Sequence, residues 1–211
     1  SGGSSTAYIN ITVDDRAPSF TYNPENLTLT NNTVSTDLPL VPTVLSGADA
    51  PTDWVLMGTL PAGLNFGTNN GTIWGTATEL WTTTNYTVYG NNTGGSFNAS
   101  INITVLHQEP MFTYSSYNLT LLNNTDLSYL STNITGGDIT SWEITPDIPT
   151  GMSFGTTYGG IWGRPTVVQN RTMYTVWGNN SGGSHSVYIN ITIYDQIVTL
   201  DYTPEEFNFT R

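Results

Sequence analysis

Apolar and polar residues alternate with period two along most of the chain. Leu27 and Leu29 are interleaved with Asn26 and Thr28, and Ile101, Ile103 and Val105 with Asn102 and Thr104. Such alternation marks strands with one face in a core and the other in water. Trp54 and Leu56 share a parity, as do Trp142 and Ile144, with Glu143 on the opposite face, so both tryptophans are expected in cores. Asn70-Gly71 lies between two such runs and predicts a hairpin with a type I′ turn, which needs positive φ at both central positions. Asn91-Asn92-Thr93-Gly94-Gly95-Ser96 predicts the next tight connection, between strands at 86–89 and 97–105. No stretch sustains a helical period, so the pattern predicts an all-β, antiparallel chain.

The pattern repeats. Pro61, Gly63, Phe66, Gly67, Gly71, Ile73, Trp74 and Gly75 each have a counterpart 88 positions on, and Pro18, Phe20, Tyr22, Asn26, Leu27 and Leu29 each have one 92 positions on. The four-residue difference falls between Val34 and Asp53 and predicts a longer loop in the first copy. A fixed period is the mark of a tandem array. Two copies of roughly 90 residues fit the size of immunoglobulin-like sandwiches, with volume for one core each.

The ends repeat too. Ser1–Ser4 matches Ser181–Ser184 and 8–12 matches 188–192, while Leu200, Tyr202, Pro204 and Glu205 match Phe20, Tyr22, Pro24 and Glu25. The leading SGGSS therefore reads as native sequence and not as an expression scar. The expected organisation is a last strand of a preceding repeat at 1–14, one domain at 15–106, a second at 107–195, and the first strand of a following repeat at 196–211. Those two stubs joined would still lack the middle of a domain, so strand donation alone completes no fold. The expectation is a window on a longer array.

Charge is scarce: 9% of residues are charged, with no Lys, four Arg, and a formal net charge of -12. That balance argues against nucleic acid, whose phosphates need clustered cations. No run reaches the 18 or so apolar residues of a membrane span. The absence of Cys removes thiol chemistry and disulfides without fixing a compartment.

The stretch LPAGLNFGTNNGTIWGTATELWTTTNYTVYGNNTGGSFNASINITV resembles the immunoglobulin-like domains of the He-PIG type, relatives of the cadherin-like sandwiches. The likeness rests on LPxGLxF, a GTIxG hairpin, a YTVxxxNxxGG connection and a final xxITV strand, and it covers both copies and both stubs. The second copy departs at 148–152 and at Gly160. The resemblance implies two tandem immunoglobulin-like/cadherin-like antiparallel β-sandwiches flanked by single-strand stubs. It also implies long arrays in prokaryotic surface proteins, with NLTLTNNT and NNTGGS similar to archaeal variants, and spacing or adhesion roles without catalytic residues.

Fifteen Asn-x-Ser/Thr sequons occur: Asn10, Asn26, Asn31, Asn70, Asn85, Asn91, Asn98, Asn102, Asn118, Asn123, Asn133, Asn170, Asn179, Asn190 and Asn208. With Ser and Thr at about a quarter of the chain, roughly five or six would arise by chance. The excess predicts N-linked glycans, which would replace surface charge in keeping the chain solvated and protected. Asn10, Asn102 and Asn190 point away from the core by parity, and Asn91 and Asn179 open turns. Asn70, in a constrained turn, is the least expected to be modified. The plainer reading is that Asn and Thr suit polar strand edges and turns.

Trp74, Tyr89, Trp162 and Trp177 neighbour inward β-branched residues and are expected to face outward, as a line that stacks on sugars or packs against protein. Asp14 and Asp15 are weak calcium candidates at the first linker. Calcium wants six to eight oxygens, whereas the other linkers offer unrelated residues (His107-Gln108-Glu109 and Asp195-Gln196). No metal site and no cofactor beyond covalent glycans is expected. His107 lies in a linker and His185 where the first copy has Phe97. Neither has a partner at catalytic spacing, so no enzyme is expected.

These features together predict an extracellular or cell-surface structural protein, a glycosylated array forming a fibre, stalk or adhesin shaft. Its partners would be neighbouring repeats of the same protein, as a homopolymer or long-chain fibre, and glycans. The alternative is a carbohydrate- or surface-binding module of an adhesin, with calcium-stiffened linkers as a variant.

Overall fold

A computed structural model describes residues 2–197 of the chain. Asn208 and the repeat beginning at Leu200 lie outside the described residues. The chain divides into two compact units, Ser1–Gln108 and Glu109–Arg211, each with its own core.

The first unit contains β1 (Phe20–Thr21), β2 (Asn26–Thr30), β3 (Thr43–Val44), β4 (Asp53–Met57), β5 (Leu64–Phe66), β6 (Ile73–Gly75), β7 (Trp81–Asn92) and β8 (Gly95–Leu106). One layer is the sheet β2-β8-β7-β4. The other is assembled from the short pairs β1-β3 and β5-β6, with Leu40 bridged to Ile73. Inward residues of both layers (Phe20, Leu27, Trp54, Ile73, Val88 and Ile103 among them) form one core.

The second unit contains β9 (Phe112–Tyr114), β10 (Asn118–Leu122), β11 (Leu127–Leu130), β12 (Thr132–Ile134), β13 (Ser141–Thr145), β14 (Met152–Phe154), β15 (Ile161–Gly163), β16 (Gln169–Asn180) and β17 (Gly183–Tyr194). Its layers are β10-β17-β16-β13 against β11-β15-β14 and β12-β9. Leu130 faces Ile161 as Leu40 faces Ile73. The four extra residues of the first copy are therefore split, two on each side of Leu40.

Two expectations are corrected. The sheets are not wholly antiparallel: β2 runs parallel to β8, with Leu27 opposite Ile103, and β10 runs parallel to β17. The entering chain gives two residues to one layer as β1, crosses over, and lies as β2 along the last strand in the same direction. The Asn70-Gly71 hairpin is not type I′, because only Gly71, at φ 69°, has positive φ. The Gly71 N–H reaches back to the Gly67 carbonyl at 2.7 Å and the Gly67 N–H donates to Thr72 O at 2.8 Å, closing a wider loop. Residues 2–17 pair with no strand of the first unit and are exposed, as a strand whose sheet would belong to another repeat has no neighbour here with which to satisfy its backbone.

The wider loop has a packing reason. A Cβ on Gly71 would lie 2.4 Å from Trp54 Cε3, and one on Gly159 the same distance from Trp142 Cε3. The buried Tyr22 hydroxyl donates to Gly71 O at 2.6 Å, and Tyr114 to Gly159 O. Each tryptophan ring also lies 4.5 Å, centroid to centroid, from Phe20 or Phe112.

Gly159→Ala combines left-handed strain at φ 68° with a steric overlap on Trp142. It is expected to destabilise its own unit by more than about 2 kcal/mol. Amide exchange should show this as lost protection in β16 and β17 with β7 and β8 unchanged.

Burial raises both tyrosine hydroxyls above their ordinary value of 10.0. As pH rises the unfolded chain releases these protons first, so this stability is complete below about pH 10 and is lost above it. Melting midpoints should fall beyond about pH 10. The fall should be shallower in Tyr22→Phe, which starts about 1–3 kcal/mol less stable because the Gly71 carbonyl loses its donor.

Candidate functional site: amide ladders and exposed rings

Among the described residues no sequon asparagine is buried. Asn10, Asn26, Asn70, Asn85, Asn98, Asn118, Asn133 and Asn170 are exposed; Asn31, Asn91, Asn102, Asn123, Asn179 and Asn190 are half-buried. Strand register explains part of this division. Asn102 on β8 lies opposite Asn26 on β2 and Asn85 on β7. Its Nδ2 donates to Asn26 Oδ1 at 2.8 Å, and its Oδ1 accepts from Asn85 Nδ2 at 3.0 Å. In the second unit Asn190 Nδ2 donates to Asn118 Oδ1 at 3.0 Å. Cross-strand amide ladders were not legible in the sequence, because they need the parallel pairing that places Asn26 beside Asn102.

Other sequons are tied to the ends of the units. Asn31 and Asn123 lie just beyond β2 and β10, where their N–H groups donate to Leu106 O and Tyr194 O. Gln108 Nε2 donates to Asn31 O and Gln196 Nε2 to Asn123 O. Asn91 and Asn179 lie within β7 and β16, one residue before the strand end, and not in the turn itself. Asn91 Nδ2 reaches Asp53 Oδ2 at 3.4 Å.

The four outward aromatics do not form one line. Trp74, Tyr89 and Trp177 are exposed and Trp162 is half-buried. Trp74 and Trp162 stand on β6 and β15, whereas Tyr89 and Trp177 stand on β7 and β16 in the opposite layers. Trp162 is half-buried because it packs with Tyr129 and Tyr158, at 6.1 and 5.9 Å between ring centroids. Neither tyrosine was singled out by the sequence pattern. Their departure from the first copy (Pro39 and Asn70 at the matching places) was the available signal. Trp54 and Trp142 are buried, as their parity requires.

The linker acids are engaged locally. The Thr93 hydroxyl donates to Asp15 Oδ2 at 2.8 Å while the Asp15 N–H donates to Thr93 Oγ1 at 2.9 Å. The Arg16 N–H donates to Asp49 Oδ2 at 2.8 Å. Asp14 is exposed. No group of three or more His, Asp or Glu that could hold a metal occurs among the described residues. His185 packs edge-on to Phe112 at 5.2 Å, as Phe97 does to Phe20 at 5.4 Å, so it serves as a packing residue.

The chain matches no protein-family model, and no curated protein matches it by sequence. Solved structures do match. Extracellular domains 3–5 of Drosophila OTK are similar at 17% identity and TM-score 0.51, over 83% of this chain and 61% of that one. The insect immune protein hemolin is similar at 13% identity and TM-score 0.44, over 85% and 47%. Human protocadherin-24 EC1-2 is similar at 12% identity and TM-score 0.38, over 87% and 100%. The chain thus spans about three fifths of the OTK fragment and about half of hemolin. The likeness to OTK shows the fold: two tandem immunoglobulin-like β-sandwiches. No helix of the described residues is long and apolar enough to cross a membrane.

Asn102→Ala breaks two amide contacts and is expected to cost about 1 kcal/mol, measured by chemical denaturation, whereas Asn70→Ala leaves the ladder intact. Neighbouring strands lie about 4.8 Å apart, so three adjacent rungs cannot all bear bulky sugars. If the sequons are used, glycopeptide mapping should find higher occupancy at Asn26, on the sheet edge, than at Asn102 between its neighbours.

Proposed function

We propose that the chain is part of a structural protein of the cell surface or extracellular space, an N-glycosylated tandem array that forms a fibre, stalk or adhesin shaft. The repeat type is that of the He-PIG-like domains of archaeal surface proteins. The observation that carries this reading is the amino-terminal segment. Ile9, Ile11 and Val13 repeat Ile101, Ile103 and Val105 of β8 in sequence, with Asn10 and Thr12 in the places of Asn102 and Thr104. In β8 the three apolar residues are 0–2% exposed; at the amino terminus they are 84%, 82% and 89% exposed. Leaving three such side chains in water forfeits about 1.5–3 kcal/mol each. A preceding repeat of the same kind would take them into its core.

The mechanism in this reading is mechanical. Each sandwich is a rigid bead, and length follows copy number. The Asp15–Thr93 hydrogen bond fastens the segment before β1 onto the β7–β8 turn, and the Arg16–Asp49 bond fastens it onto the loop between β3 and β4, which shortens the flexible part of that linker. Glycans at the exposed sequons would take the place of the missing charge as solvating and protease-shielding groups.

Electron microscopy of native material is expected to show density running on as beads, with branches at sequon asparagines. Peptide mass mapping should show sugar additions on several of them. Compact free-standing particles would end the array reading, and unmodified asparagines at every site would end the glycan reading.

A further inference from the structure

The two copies differ most usefully at one surface. In the first unit a groove of about 520 Å³ opens beside Trp74, with Pro39, Asn70 and Thr72 in its lining. In the second unit the matching positions hold Tyr129, Tyr158 and Gly160 around Trp162. The rings of Tyr129, Tyr158 and Trp162 lie in mutual contact, with centroids 5.9–6.3 Å apart. The changes fit one another. A Cβ on Gly160 would lie 2.3 Å from the Tyr129 hydroxyl oxygen. Gly160 is therefore what allows Tyr129 to lie over the strand beside Trp162. The sequon of the first copy, Asn70-Gly71-Thr72, becomes Tyr158-Gly159-Gly160 in the same step.

We propose that Tyr129, Tyr158 and Trp162 form a platform on which the apolar face of a neutral saccharide stacks. Ring chemistry points to this ligand class: Tyr158 and Trp162 are stacked with planes 27° apart, Tyr129 is tilted to them by 47° and 38°, and the three form one contiguous aromatic cluster. Charge selects it as well: the rings bring none, and a chain with 16 acidic and four basic residues repels polyanions. Area points the same way. Tyr129 and Tyr158 are 48% and 49% exposed, so the three rings offer roughly 250–300 Å². A protein partner needs on the order of 800 Å² per side, whereas a few sugar units are matched by this area. The two possible sources, the array's own N-glycans and a foreign polysaccharide, present the same chemistry. The platform belongs to a single unit and does not depend on the array reading.

The test uses the full chain produced without glycans. It is titrated with maltohexaose, cellohexaose and mannohexaose, and with glycans released from native material, while tryptophan fluorescence and heat are followed. At least one saccharide is expected to bind at millimolar concentration or below. Tyr158→Asn, which restores the first copy's residue, and Trp162→Ala should each weaken it at least about tenfold. Trp74→Ala should leave it unchanged, and circular dichroism should confirm that all variants fold. Binding of the released glycans points to self-recognition within or between fibres; binding of the hexaoses alone points to a foreign polysaccharide. The proposal is overturned if no saccharide binds, or if folded Tyr158→Asn and Trp162→Ala bind as wild type. It is equally overturned if tetramethylammonium binds at the rings in place of the sugars, or if they drive self-association without binding sugar.

Discussion

Each sandwich depends on a glycine that lies against a tryptophan. Gly71 has no side chain where Trp54 needs room, and its carbonyl accepts the hydroxyl of Tyr22. Phe20 packs against the indole at 4.5 Å between centroids and lies over Gly90, which is the strand partner of Trp54. These contacts fix the first strand, because its backbone pairing cannot. β1 and β3 share two register pairs, and a net hydrogen bond is worth about 1 kcal/mol. Burying Phe20 and Tyr22 is worth about 2–3 kcal/mol each, with about 0.5–1.5 more from each ring contact. Aromatic packing therefore decides where the chain enters the fold.

The same arithmetic explains what the second copy keeps and what it changes. Phe112, Tyr114, Trp142, Gly159 and Gly178 reproduce the wedge residue for residue. Once the wedge is in place, the outer face of the hairpin beside it is free to vary. Asn70 can become Tyr158 and Thr72 can become Gly160 without touching the tryptophan, because Gly159 between them holds the same φ and the same carbonyl. The signature GTIWG and its variant GGIWG share the glycine and the isoleucine at the core and differ at one position, Thr72 or Gly160, which is itself buried, while the residue before the motif, Asn70 against Tyr158, changes in the open.

Strand positions, core parity and the doubling of the fold were legible because a period of two and a repeat are local properties. Trp54, Trp142, Ile101 and Ile103 are where alternation puts them. What was not legible depends on long-range register. The parallel pairing of β2 with β8 sets Asn26 beside Asn102 across a separation of 76 residues, and nothing local to either strand encodes it. The turn at Asn70-Gly71 misled for a related reason. The dipeptide fits a type I′ hairpin, but the need to seat Trp54 draws the loop wider, so that Asn70 keeps negative φ. The aromatic line dissolved because outward parity does not say which layer a residue belongs to, and Trp74 and Tyr89 are outward on opposite layers.

Edges give the scarcity of surface charge its meaning. Two long sheets with open edges invite pairing with other chains unless something blocks them. β4 and β13 carry Asp53 and Glu143. The other edges, β2 and β10, have no charge and begin with Asn26 and Asn118. Both of these asparagines are exposed, both are in sequons, and both accept the ladder bond with Oδ1, leaving the nitrogen on the open side. A sugar there would stand at the edge without breaking the rung. If the proposed glycans are present, the two uncharged edges are the places where a sugar would do what lysine does in other sandwiches, and a nitrogen that donates to no rung of the ladder is the atom it would use.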